Sequence, residues 1–150
     1  MSITISISKI KLVRESNHRY DIKTRSIHDP EDAVRIINAV LDLENEAQEV
    51  LCEILLDNQN NVVGVMEITR GSINASVCHP REVFRGAIMH NAASIILFHN
   101  HPSGMVEPSR EDISVTERIK KAGKIMDIPL LDHIIVGNGT HTSLKQKGML

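Results

Sequence analysis

The amino-acid sequence predicts an α/β domain, built on a mixed, largely antiparallel sheet with helices on both faces, and three observations lead there. Apolar runs of strand length recur at 50–56, 62–68, 94–98 and 129–137. Segments with apolar residues at helical spacing lie at 33–41, 83–92 and 113–125. The strand-like runs at 50–56, 62–68 and 72–78 follow one another without a helix, which implies an antiparallel meander, whereas the later strands alternate with helices that must cover the sheet.

Taken in order, Ile3, Ile5 and Ile7 alternate with polar residues and predict a strand within 3–14, followed by a second extended piece at 20–23. Asp29-Pro30-Glu31 starts a helix: Asp29 caps it, Pro30 suits the first turn, and Glu31 and Asp32 favour the positive end of the helix dipole. Val34, Ile37 and Leu41 form its apolar stripe, widened by Ala33, Ile36 and Val40, and the polar residues 44–48 end it. The strand at 50–56 closes on the turn sequence Asp57-Asn58-Gln59-Asn60-Asn61, and Arg70-Gly71 separates the next two strands. His79-Pro80-Arg81-Glu82 opens a second helix with Val83, Phe84, Ala87, Ile88 and Ala92 on one face. The run at 94–98 is almost continuously apolar and predicts a strand buried on both sides. A third helix begins at Ser109, with Ile113, Thr116, Ile119, Ala122 and Ile125 inward and Arg118, Lys120, Lys121 and Lys124 mostly toward water. A last strand at 129–137 turns at Asn138-Gly139 into a short polar tail.

The whole chain sets limits on function. At 150 residues it is read as a single domain, 1–150, with no internal repeat or linker. A formal charge of −2 gives no global attraction to nucleic acid or anionic membrane, and the absence of Trp, with one Tyr and two Phe, rules out a long base-stacking platform. Cys52 and Cys78 sit in apolar surroundings without metal-ligand spacing and read as reduced core thiols. The N-terminus lacks a signal-peptide pattern and no run is long enough to span a bilayer, so a cytoplasmic location is expected.

The chemistry concentrates in His99-Asn100-His101-Pro102-Ser103-Gly104 and the segment after it. Two histidines one residue apart at a strand end point to the same side, so both imidazoles reach one ion. Pro102, Gly104 and Pro108 turn the chain and bring Asp112 back toward them. Two imidazoles and a carboxylate, with a fourth position left for water, are the ligand set of a catalytic zinc site. Ser109-Arg110-Glu111-Asp112 has a plainer reading as well, a helix capping box.

His-x-His, seven residues, Ser, two residues, Asp resembles the signature of the JAB/MPN metalloproteases. Gly71-Ser72-Ile73-Asn74, His79-Pro80-Arg81-Glu82-Val83-Phe84, Pro108-Ser109-Arg110-Glu111-Asp112 and Leu131-Asp132-His133-Ile134-Ile135-Val136-Gly137 are similar to the RadC branch of that superfamily, from about Asp29 to the C-terminus. The resemblance implies a cytidine-deaminase-like architecture and Zn2+ held by His99, His101 and Asp112. It further implies a glutamate as general base, for which Glu49 is the best match and Glu53, on the same strand face, the competitor. Ser109 would donate a hydrogen bond to the tetrahedral oxyanion. The reaction class implied is hydrolysis of an amide or isopeptide bond in a protein or peptide substrate. The RadC branch also carries a DNA-repair label, which suggests as alternative a nucleic-acid-binding module whose metal is structural or vestigial. Its helix-hairpin-helix segment is not read in the first thirty residues, which weakens that alternative. Asp132 and His133 alternate on their strand, so the two are not expected to serve one purpose; either one of them supports the ligands from behind or the two are a satisfied core pair.

Overall fold

Among the described residues five strands form one sheet in the order β2-β1-β3-β4-β5: β1 Val50–Leu56, β2 Val62–Arg70, β3 Ser94–Asn100, β4 Leu130–Gly137 and β5 Thr140–Ser143. The structure is a computed structural model, and it describes residues 25–72 and 78–150 together with residues 5, 6, 9, 11, 12, 19 and 20. The strands expected at 3–14, 20–23 and 72–78 fall largely outside the described residues. β1 pairs antiparallel with β2 and β3, and β4 antiparallel with β5, while β3 and β4 run parallel. The sheet is therefore mixed and largely antiparallel, as expected. β1 and β2 form a hairpin and β1 has β3 as its other neighbour, while the third strand of the expected meander lies outside the described residues.

Among the described residues three helices cover the faces: α1 Pro30–Leu41, α2 Pro80–Met89 and α3 Arg110–Met126. Asp29 caps α1 by accepting the Asp32 N–H at 2.7 Å. The helix stops at Leu41, earlier than 44–48, because Asp42 turns left-handed and a short 3-10 turn, Leu43–Asn45, follows. Its apolar stripe packs with Leu43 against Cys52, Ile54, Ile96, Phe98 and Ile134. On the opposite face, Val83, Phe84 and Ala87 of α2 and Val115 and Ile119 of α3 pack against Leu51, Leu55, Ile95 and Leu97. This two-sided burial explains the unbroken apolar run of β3.

Three side chains depart from the expected helix faces. Ile88 and Ile125 are 50% and 85% exposed, and Ile113 is half-buried. The inward stripe of α3 is Asp112, Val115, Thr116, Ile119 and Gly123, a phase rotated from the one predicted. The expected polar tail is strand β5, followed by the fully buried Leu144. Cys52 and Cys78 are free and buried, and burial pushes both thiols up, that of Cys78 to about 11. Among the described residues no helix is long and apolar enough to cross a membrane.

Candidate metal centre

β3 is the origin of the site. Strand alternation puts His99 on the α2/α3 side of the sheet and Asn100 on the α1 side. His101 lies just beyond the strand, yet its N–H still donates to the Val136 carbonyl at 3.0 Å, so it remains extended and shares the side of His99. The chain then turns: the Gly104 N–H donates to the His101 carbonyl at 2.8 Å with Gly104 at φ 80. Two residues into the turn region, the Met105 carbonyl sits 2.7 Å from His101 Nδ1. A carbonyl only accepts, so Nδ1 carries the proton and Nε2 presents its lone pair.

α3 brings in the carboxylate. Ser109 and Asp112 form the capping box: Ser109 Oγ accepts the Asp112 N–H at 3.1 Å, and Asp112 Oδ2 accepts the Ser109 N–H at 2.7 Å. The cap and the metal-ligand reading of Asp112 thus coexist, since the cap is what aims the carboxylate. Asp112 Oδ1 lies 3.1 Å from His99 Nε2 and Oδ2 lies 3.4 Å from His101 Nε2, with the two Nε2 atoms 2.9 Å apart. Burial opposes ionisation of Asp112, but the adjacent His99 ring and the hydrogen bonds from Ser109 outweigh it and hold the carboxyl well below the usual range.

Glu49 comes from the residue before β1. Asn100, fully buried between the two histidines in sequence, clamps this segment from the α1 side. Its Oδ1 accepts the Val50 N–H at 2.7 Å, and its Nδ2 donates to the Glu46 and Gln48 carbonyls at 3.0 and 2.9 Å. The Glu49 carbonyl in turn accepts the Gly71 N–H at 2.8 Å. Glu49, His99, His101 and Asp112 each offer one ligand atom, and these atoms all lie within 4.8 Å of one another. In a tetrahedral site with metal–ligand bonds of about 2.0–2.1 Å, ligand atoms stand about 3.3 Å apart. The two Nε2 atoms at 2.9 Å and Asp112 Oδ1 at 3.1 Å from His99 Nε2 come close to that spacing, with Asp112 Oδ2 3.4 Å from His101 Nε2, so the donor set fits a divalent ion such as zinc. His99 and Asp112 are buried and His101 is 17% exposed, which would leave an ion held there approachable from the side of His101. A surface pocket of about 280 Å³ opens there, lined by Glu44, Asn45, His101, Ser103 and Asn138 among others.

The remaining expected residues separate. His133 belongs to the site: its Nε2 is 2.8 Å from His99 Nδ1 and its Nδ1 is 2.6 Å from Thr116 Oγ1. Full burial pushes its pKa well down, and the charge of His99 adds to that. Asp132 faces away and ties the sheet edge together instead, accepting from the Ser143 hydroxyl at 2.5 Å, from the His133 N–H at 2.8 Å and from the Lys145 N–H at 3.0 Å. Glu53 does not join the cluster of ligand atoms. It is fully buried on β1 beside Gly86 of α2, where a Cβ would stand 2.8 Å from Glu53 Oε1. Ser109 is exposed, with its Oγ on the Asp112 N–H. Asn100 and Thr116 were not singled out from sequence as site residues. For Asn100 the available signal was a polar residue at a strand position that must face the opposite core; Thr116 read as part of an apolar stripe.

Comparison with known proteins adds the relatives. A family model described as RadC-like JAB domain matches residues 27–149. A protein named UPF0758 protein from Clostridium beijerinckii is 49% identical over 130 residues, covering 87% of this chain and 55% of its own. Proteins of the same name from Clostridium tetani and Methanococcoides burtonii are 48% and 46% identical, covering 83% and 81% of this chain and 54% and 56% of theirs. The chain therefore spans about half the length of the curated relatives it matches, and their name states no activity.

Proposed function

We propose, from the premise that this chain belongs to the RadC-like JAB domain family, that it is a zinc-dependent hydrolase acting on an amide or isopeptide bond of a protein or peptide. The observation that carries this reading is the convergence of one ligand atom each from Glu49, His99, His101 and Asp112 within 4.8 Å. His99, His101 and Asp112 would hold the ion, which when bound supplies Lewis acidity that makes a coordinated water acidic near pH ~7. Glu49 is half-buried in this cluster, where its carboxylate would take a proton from the attacking water and return it to the leaving amine. Ser109, exposed beside Asp112, would donate its hydroxyl to the oxyanion while its Oγ still accepts the Asp112 N–H. The pocket beside His101 offers a polar seat for the substrate chain, and the buried, free thiols suit a reducing cytoplasm.

The nucleic-acid alternative has less support. Lys120, Lys121 and Lys124 line a surface groove of α3 together with Glu117 and Asp127, so the groove carries both signs of charge. The test is metal content combined with hydrolysis. Protein purified without chelator is expected to hold about one zinc per chain by elemental analysis, to lose it in His101→Ala and Asp112→Ala, and to keep it in Glu49→Gln. A peptide and isopeptide library should be cut by the wild type and left intact by Glu49→Gln. Retention of metal in all three variants would show the ligands to be misassigned.

A further inference from the structure

We propose that Thr116 is a positioning residue that decides which ring nitrogen of His99 is offered to the metal, acting through His133. The proposal rests on the metal-centre reading above and adds a determinant that sits outside the four converging residues.

A threonine hydroxyl has one proton to donate. Thr116 Oγ1 lies 2.6 Å from the carbonyl oxygen of Asp112, which is only an acceptor, so the proton is committed there. Toward His133 Nδ1, also 2.6 Å away, the same oxygen must then accept, and Nδ1 carries a hydrogen. A neutral imidazole with its hydrogen on Nδ1 has a lone pair on Nε2. That lone pair faces His99 Nδ1 at 2.8 Å, so His99 donates from Nδ1. The nitrogen left over is His99 Nε2, which faces His101 Nε2 and Asp112 Oδ1. The chain of polarity runs from His99 to His133, to Thr116, to the backbone of Asp112. It begins at one ligand and ends at the residue that supplies another.

The placement explains why a hydroxyl stands among apolar neighbours. Asp112 and Thr116 are four residues apart on α3 and both are buried, so one helix face carries the ligand and the terminus of the chain. Valine would fill the same volume but leave the buried His133 Nδ1–H without an acceptor. The ring would then gain by moving its hydrogen to Nε2, which sets two N–H groups against each other at His99 unless His99 also moves its hydrogen. In that second arrangement His99 Nε2 is protonated and lost as a ligand. The two histidines are each fully buried, so no solvent donor corrects the polarity from outside.

Two measurements on the full chain test this. Long-range 1H–15N NMR correlations should report hydrogen on Nδ1 of both His99 and His133 in the wild type, without and with Zn2+. Competition titration with Zn2+ should give a loss of about 10–100-fold in affinity for Thr116→Val and a change within about threefold for Thr116→Ser, which keeps the hydroxyl. A wild-type spectrum with the His133 hydrogen on Nε2 overturns the proposal, as does a folded Thr116→Val that binds Zn2+ as tightly as the wild type. If Thr116→Val does not fold, the wild-type spectrum and the retained affinity of Thr116→Ser still decide. Should no form bind any divalent ion, the metal reading fails and the relay to the metal falls with it; loss of hydrolysis with intact affinities would instead count against the proposed reaction alone.

Discussion

At Glu53 a carboxyl is placed where nothing stabilises its charge. It is fully buried on the middle of β1, and neither oxygen has a hydrogen-bond partner among the described residues. Burial pushes its pKa up to about 8. In the unfolded chain the group ionises near its ordinary value, about 4.3. Between the two values folding takes up a proton, so this residue makes the fold less stable as pH rises from about 4.3 to about 8 and contributes no slope below that window. The size of the effect is on the order of a few kcal/mol. Urea unfolding at pH 5 and pH 8 should therefore show a smaller difference in Glu53→Gln than in the wild type; an unchanged difference would mean that Glu53 has a partner in solution. The contrast with Glu49 is instructive for sequence reading. Both glutamates lie on one strand face by parity, and the spacing to Asp57 favoured Glu49, but only the fold separates a residue just before β1, next to the histidines, from one under α2. Asn100 and Thr116 stayed hidden for a related reason: their partners are 50 and 17 residues away, at Val50 and His133, and no local pattern encodes such pairs.

The elements were legible where end signals are local. Asp29-Pro30 and Ser109-Arg110-Glu111-Asp112 mark the starts of α1 and α3 because the capping side chain and the N–H it accepts are three residues apart. Phase and edges were less legible. Apolar residues in α3 fit helical spacing in more than one way, and the choice of Val115 and Ile119 over Ile113 and Ile125 depends on α2 and the sheet beneath. β5 has no apolar alternation, and it is a strand because β4 offers an edge and Asp132 holds Ser143. The packing at the end of α3 gives a prediction at this scale. Gly123 is buried where the helix turns into β4, and a Cβ there would lie 2.6 Å from the Ile128 carbonyl oxygen and 3.2 Å from Phe84 Cζ. The backbone oxygen cannot move aside, because the Ile128 N–H is itself bonded to the Gly123 carbonyl at 3.0 Å. Gly123→Ala should lower stability by about 1–3 kcal/mol, the usual cost of overpacking, despite alanine's higher helix propensity. A lowered urea midpoint with unchanged m-value is the expected outcome; a raised midpoint would show that the α3–β4 corner can open.

For the molecule as a whole, the mixed sheet covered on both sides was predictable from the strand and helix order, while the neighbour relation of β1 and β3 was not, since it joins runs separated by a helix. The proposed metal seat draws on the segment before β1, the end of β3 and the start of α3, and an unfolded chain does not hold these together. An ion that binds only the folded state at 100 times its dissociation constant adds about 2.7 kcal/mol. For a domain of this size that corresponds to a rise of very roughly 5–10 °C in melting temperature. Thermal scans should show the rise with Zn2+, its reversal with chelator, and no rise in Asp112→Ala. The parallel pairing of β3 with β4 has a consequence in time as well as in space. Parallel neighbours need a crossover, and here the crossover is α3, whose first turn carries Asp112. While the chain is being made, Glu49, His99 and His101 leave the ribosome first, and the cluster stays open until α3 has emerged and β4 has docked beside β3. Until that docking the nascent domain holds only part of the candidate centre, so the seat for an ion is among the last features of the domain to be assembled.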